Sequence, residues 1–225
     1  MKKVVIFNPK GGAGKTTCAT NLASYYASRQ FKTALMDFDV QGSSSCWLKR
    51  RPGSARPIQS IPAYQYSNGA TRSWLMRADT GTERLVIDTP AGADVLYFKD
   101  TINCADAVVI PVMPSCLDID AVAHSIADLL LQAKVDRRSE RIAVIANRSR
   151  KNTMVYHRLE KFLGSLCICF VSTLRDTQNY VKAAEQGMGI FELKGMDVKK
   201  DVLTWQPIIE WIESRPAYQL SRSRA

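Results

Sequence analysis

No Cys-x-x-Cys pair occurs in the 225 residues, and there are only two histidines, His124 and His157. Zinc ribbons and thioredoxin-like redox sites need such pairs, and neither histidine has ligand-like neighbours, so both read as structural. The six cysteines (Cys18, Cys46, Cys104, Cys116, Cys167 and Cys169) are expected as free thiols in a reducing cytosol. No apolar run approaches the ~20 residues of a membrane span. No secretory leader is expected, because MKKVVIFN is too short and leads straight into a glycine-rich turn. Acidic residues are in short supply, 21 Asp+Glu against 31 Lys+Arg, for a net charge of +10. That balance invites an anionic partner, nucleic acid or an acidic membrane, although a merely basic surface has the same composition. No internal repeat or low-complexity tract is visible.

What is present is ordinary for a globular chain with a large core: 46% hydrophobic and 23% charged residues, at a length that suits one domain spanning 1–225. Short apolar runs predict strands at 3–8, 32–38, 84–88, 106–112, 141–147 and 166–171. Helical spacing follows Thr16, recurs from Ile119 to Ala133, and returns near 153–164, 178–187 and 201–213. Strands that read as continuous apolar runs between helices predict a doubly wound, mostly parallel α/β sheet covered on both faces. Residues 49–72, rich in Pro, Ser and Arg, read as a surface excursion with one short strand or helix inside; residues 214–225 read as a flexible tail.

Ligands of such sheets bind at the carboxyl ends of strands. After the first strand comes N-P-K-G-G-A-G-K-T-T, residues 8–17. Glycines between a strand and a helix let backbone N–H groups cradle phosphate, and the helix start adds partial positive charge. Gly11, Gly12, Ala13 and Gly14 would form the cradle. Lys15 would reach the β- and γ-phosphates, Thr16 would bind Mg²⁺, and Thr17 would donate to the α-phosphate. The match to G-x-x-x-x-G-K-[ST] is imperfect, since Pro9 stands where the first glycine belongs and a second lysine, Lys10, sits at the loop mouth. Alone, Lys10 could be a solvated loop lysine. Asp37 and Asp39, one residue apart at the end of the second strand, point to the same face. Asp88 closes the apolar strand L-V-I-D, the usual place for a Walker B carboxylate.

Through K-G-G-A-G-K-T-T, D-F-D-V-Q-G and D-T-P-A-G the sequence resembles the ParA/MinD group of ATPases, which have a deviant Walker A loop on a P-loop NTPase fold. Val40 departs from the proline frequent in that acidic motif. The resemblance implies that Lys10 crosses a dimer interface to the partner's nucleotide. Asp39 would orient the attacking water, and Asp37 would support the metal shell or the loop. T-P-A-G would sense the γ-phosphate, and Asn147 would read the adenine edge; a turn role for Asn147 is the alternative. The lack of an N-K-x-D signature favours ATP over GTP. Within the group the sequence is most similar to short ParA-type partition or carboxysome-positioning proteins, as suggested by Trp47, Arg50-Arg51-Pro52 and Trp74. That branch implies a cytoplasmic, nucleoid-associated ATPase. Its ATP-dependent homodimer binds DNA without sequence preference and is released when a ParB-like or McdB-like adaptor stimulates slow hydrolysis. Candidate DNA contacts are Arg158, Lys161, Lys199 and Lys200. The alternative is a MinD-like membrane-associated ATPase using V-L-T-W-Q-P-I-I-E-W-I (202–212) and the basic tail, although Pro207 interrupts that helix unless one starts there. Metal-cluster carriers of the same fold would need cysteine pairs that are absent. No helix-turn-helix extension is expected, and hence no operator-specific binding.

Overall fold

The computed structural model describes residues 1–66, 78–149, 154–166 and 168–216. Seven strands form one all-parallel sheet: β1 (Lys2–Ile6), β2 (Thr33–Asp37), β3 (Gln59–Pro62), β4 (Arg84–Asp88), β5 (Ala107–Val112), β6 (Ile142–Ser149) and β7 (Cys169–Arg175). Their lateral order is β3-β2-β4-β1-β5-β6-β7. The central strands are apolar nearly throughout because both faces are covered: every residue of β2 and of β5 is buried. Along each strand side chains alternate between two cores. One lies under α3 (Lys99–Asn103), α4 (Cys116–Leu131) and α5 (Met154–Ser165) and includes Val5, Met36, Ile87, Ile126 and Leu159. The other lies under α1 (Lys15–Ser28), α2 (Ser43–Lys49) and α7 (Met196–Ser214) and includes Ile6, Leu35, Val86, Leu22 and Trp205. Helix α6 (Gln178–Glu185) follows β7 and packs against the short turn Ile190–Glu192, and Thr177 caps it.

The excursion expected over 49–72 contains one short strand, as that reading allowed. Its segment Gln59–Pro62 pairs in parallel with β2 and forms the sheet edge, and residues 67–72 lie outside the described residues. Trp47 of α2 is buried, and its Nε1 donates to the Met188 carbonyl. Arg51 lies over the Trp47 ring and forms a buried, two-pronged ion pair with Glu192. The last strand begins and ends later than its apolar run suggests. Residues up to Ser165 belong to α5, and Ile168 packs under the helices, not within the strand.

Pro207 does not interrupt the final helix. Helix α7 starts at Met196 and runs through it. The proline removes one i→i−4 bond, while Trp205, Ile208, Ile209, Trp211 and Ile212 all bury against the sheet. Those tryptophans are therefore core residues, as a helix packed on the sheet requires, and of the large apolar side chains in 202–212 Leu203 is exposed. Among the described residues no helix is long and apolar enough to cross a membrane. The segment 217–225 lies outside the described residues.

Candidate functional site

The chain leaves β1 between β4 and β5, where the direction of winding reverses, and the loop Asn8–Gly14 closes over the carboxyl ends of those strands. The Asn8 amide is buried: Nδ2 donates to the Pro111 carbonyl (2.8 Å), and Oδ1 accepts from the Lys10 N–H (2.8 Å). This fixes where the loop mouth begins. Gly12 and Gly14 have φ of +76° and +89°, a left-handed backbone that other residues rarely adopt. A Cβ on Gly14 would lie 1.9 Å from Asn147 Nδ2, so the position also admits no side chain. The loop is tied to T-P-A-G by a bond from the Gly92 N–H to the Pro9 carbonyl (2.7 Å). Helix α1 then starts at Lys15 with no acidic residue in its first turn, which leaves its positive end to an anion. The Lys15 side chain is buried, and its Nζ donates to the Lys10 carbonyl (3.1 Å). Burial lowers its pKa, against the pull of Asp88 and Asp39.

Register brings the acids together. In the parallel sheet Asp37 pairs with Asp88, and Asp88 with Ile6, so all three end at one level. Strand alternation turns both carboxylates to the face that α1 and α2 cover. Asp88 is fully buried. Burial raises its pKa to about 7, with the Asp37 charge adding to the rise and Ser44, Thr16 and Lys15 opposing it. Its Oδ2 accepts a hydrogen bond from Ser44 Oγ, whereas its Oδ1 is buried with no hydrogen-bond partner. A buried anionic oxygen left unpaired beside the Thr16 hydroxyl fits a hard divalent cation such as Mg²⁺, and those two residues would hold it.

Asp37 is employed differently. Its Oδ1 accepts from the Asp39 N–H (3.0 Å), and its Oδ2 accepts from Ser45 N–H and Oγ (both 2.9 Å). Both oxygens therefore hold the loop and the start of α2. Burial raises its pKa despite these donors. Asp39 is half-buried at the loop, and its Oδ1 accepts from the Gln41 N–H (3.0 Å). Its second oxygen remains for other work.

Asn147, two residues before the end of β6, braces the loop from below. Its Nδ2 donates to the Ala13 carbonyl (2.9 Å), and its Oδ1 accepts from the Arg148 N–H (3.0 Å). It also lines a cavity of about 490 Å³ with Thr17, Arg148, Arg175 and Tyr180. That volume, open beside the first turn of α1, suits a nucleoside.

Lys10 lies at the mouth, and its Nζ is 2.8 Å from Asp118 Oδ1 in the first turn of α4. Asp118 is in turn bonded to Ser115, the residue that caps that helix. The four basic candidates are exposed but divided: Arg158 and Lys161 sit on α5, Lys199 and Lys200 on α7, helices that cover opposite faces of the sheet. Three residues that build the site carry no spacing signature in the sequence: Asn8, Ser44 and Asp118.

Residues 4–190 match the family model described as the CobQ/CobB/MinD/ParA nucleotide binding domain. A curated relative from Gloeobacter kilaueensis, "Maintenance of carboxysome distribution protein A", is 27% identical over 219 residues, covering 93% of each chain. A protein of the same name from Halothiobacillus neapolitanus is 25% identical over 191 residues, 84% of this chain and 87% of that one. Among solved structures, a plasmid partition protein from Borrelia burgdorferi bound to AMPPNP superimposes with a TM-score of 0.73 at 18% identity, covering 93% of this chain and 98% of that one. An ATP complex of a Cyanothece McdA variant gives 0.71 at 18% identity, covering 97% and 99%.

Proposed function

The chain belongs to the CobQ/CobB/MinD/ParA nucleotide-binding family, and on that premise we propose that it is a ParA-type ATPase. In this reading it forms an ATP-dependent sandwich dimer, binds DNA without sequence preference, and positions a cargo through partner-stimulated hydrolysis. The observation that carries the reading is the second lysine. Lys15 is buried beneath the loop, its Nζ on the Lys10 carbonyl, placed for the chain's own phosphates, whereas Lys10 stands at the loop mouth, able to face a second nucleotide once it leaves Asp118. Two triphosphates brought face to face repel, and a cation lent by each side converts that repulsion into attraction.

The work of each residue follows. Backbone N–H groups of Gly11–Gly14 and the start of α1 hold the phosphate tail. Lys15 neutralises the β- and γ-phosphates, Thr17 donates to the α-phosphate, and Asn147 faces the base in the cavity it lines. Thr16 and Asp88 hold Mg²⁺, which when bound offsets phosphate charge. Asp39 orients the water that attacks the γ-phosphate. Names of the carboxysome-distribution relatives support a carboxysome or similar large body as cargo, with an McdB-like adaptor; a plasmid or chromosome with a ParB-like adaptor is the other form of the same reading.

Asp39→Ala is the direct test of the chemistry. It should leave ATP binding within a few-fold of the parent and cut turnover by about 100-fold or more, since loss of a group acting in the transition state falls on kcat. Phosphate release near the parent rate would refute the assignment. A second expected result concerns DNA. Sequence-independent binding by the ATP-bound form should weaken linearly in a log–log plot against salt, with a slope of about −0.9 for each phosphate neutralised. Because the basic candidates divide between α5 and α7, double charge-removal pairs on each helix would tell which face lies on the duplex. A salt-independent affinity would exclude the electrostatic mode.

A further inference from the structure

We propose that Ser44 is a positioning residue for the metal-holding carboxylate, occupying one oxygen of Asp88 so that only the other is presented to the cation. The inference rests on the Mg²⁺–nucleotide reading above. Three observations carry it.

First, Ser44 is wholly buried, and its Oγ donates to Asp88 Oδ2, whereas Asp88 Oδ1 has no hydrogen-bond partner. A carboxylate can turn about its own axis and offer either oxygen, or both, to a cation. A donor fixed on one oxygen removes that freedom and leaves a single direction of approach. Second, the donor is itself rigid. Ser44 lies in the first turn of α2, which begins at Gly42 in a left-handed conformation (φ +63°). The turn is closed by the Cys46 N–H on the Gly42 carbonyl (2.8 Å) and by the Ser45 N–H and Oγ on Asp37 Oδ2. Third, the same turn follows Asp39 directly: the Gly42 N–H donates to the Asp39 carbonyl (2.8 Å). Ser44 therefore joins the segment that orients water to the strand that holds the metal, and does so through a single hydroxyl.

The test uses the full chain, a fluorescent ATP analogue and Mg²⁺ or Mn²⁺. In EDTA, Ser44→Ala should bind the analogue within about twofold of the parent. The Mg²⁺ concentration that gives half-maximal tightening of binding should rise about 10- to 100-fold, the range found when a partner of a metal ligand is removed. Mn²⁺ binding followed by electron paramagnetic resonance should weaken in step. Cys46→Ala, on the exposed side of the same helix, should follow the parent. A Mg²⁺ curve for Ser44→Ala that overlays the parent would overturn the proposal. Equal losses with and without metal, or an equal shift in Cys46→Ala, would overturn it too, since either shows general damage to the loop. A parent protein whose nucleotide binding ignores Mg²⁺ would instead bring down the underlying metal reading, which the parent curve alone decides.

Discussion

On the proposed sandwich-dimer reading, Lys10→Ala is expected to abolish ATP-induced dimerisation while leaving the monomer's affinity for ATP within about an order of magnitude. The asymmetry comes from where the ammonium sits. Lys15 reaches inward beneath the loop and is buried; Lys10 stands at the entrance, its side chain 37% exposed, paired to Asp118. Removing it therefore takes little from the chain's own phosphate cradle. In a two-fold symmetric dimer, however, one substitution deletes two contacts, one on each side. Truncating one partner of a buried, hydrogen-bonded charge pair costs ~2–5 kcal/mol. Two such losses weaken dimerisation by about three orders of magnitude or more. The Asp118 pair does not offset this, because a partly exposed ion pair contributes ~0–1 kcal/mol. Light scattering with ATP and with a non-hydrolysable analogue checks the expectation; undiminished dimers in the variant would remove Lys10 from the interface.

The second large effect is expected at Asp88. Its pKa in the folded protein, about 7, lies above the ordinary carboxylate range because burial disfavours the charge and Asp37 adds to that. A carboxyl group with a raised folded-state pKa binds its proton more tightly when folded than when unfolded. Its contribution to stability is therefore complete below the unfolded pKa, falls progressively as pH rises, and is lost above the folded one. Between pH 5 and pH 8 the loss from this one group amounts to about 2–3 kcal/mol. Asp88→Asn cannot ionise. The difference in unfolding free energy, variant minus parent, should therefore grow by about that amount over the same range, in nucleotide-free protein. The same variant should lose the tightening of ATP binding by Mg²⁺. Urea titrations at several pH values measure the first, and nucleotide titrations with and without EDTA the second. A difference in stability that stays level with pH would show that Asp88 ionises without penalty.

The sequence made the central strands plain because a strand buried on both faces is apolar at every position, as in D-A-V-V-I-P-V. It blurred β3 into one short strand or helix somewhere in 49–72, because Gln-Ser-Ile-Pro includes one buried aliphatic side chain, Ile61, and lies at the sheet edge. It hid α2, because three successive serines read as a loop. The start of β7 was misplaced for a different reason: L-C-I-C-F-V begins directly after α5 and runs on into the strand start at Cys169, and an apolar run alone does not mark where the strand begins. At the site, spacing pointed to Lys15, Thr16 and Asp88 as candidates, since glycine turns and strand ends are fixed by local geometry, and the resemblance added Asn147; the structure gathers these four around one loop. The partners of those residues were not legible. Ser44 meets Asp88 across 44 positions, and Lys10 meets Asp118 across still more. Neither serine nor a helix-capping aspartate has a pattern that announces such a meeting.

Asp37, Asp88 and Ile6 stand shoulder to shoulder on three neighbouring strands. In a pleated sheet a slip of one residue turns a side chain to the opposite face. Such a slip in β4 would send the Asp88 carboxylate under the far layer of helices, away from the glycine loop and among aliphatic neighbours. The sheet therefore works as a gauge: the chain cannot complete its interior in a wrong alignment and still own a place for the phosphate tail. Folding and assembly of the nucleotide pocket are for this protein a single act of alignment.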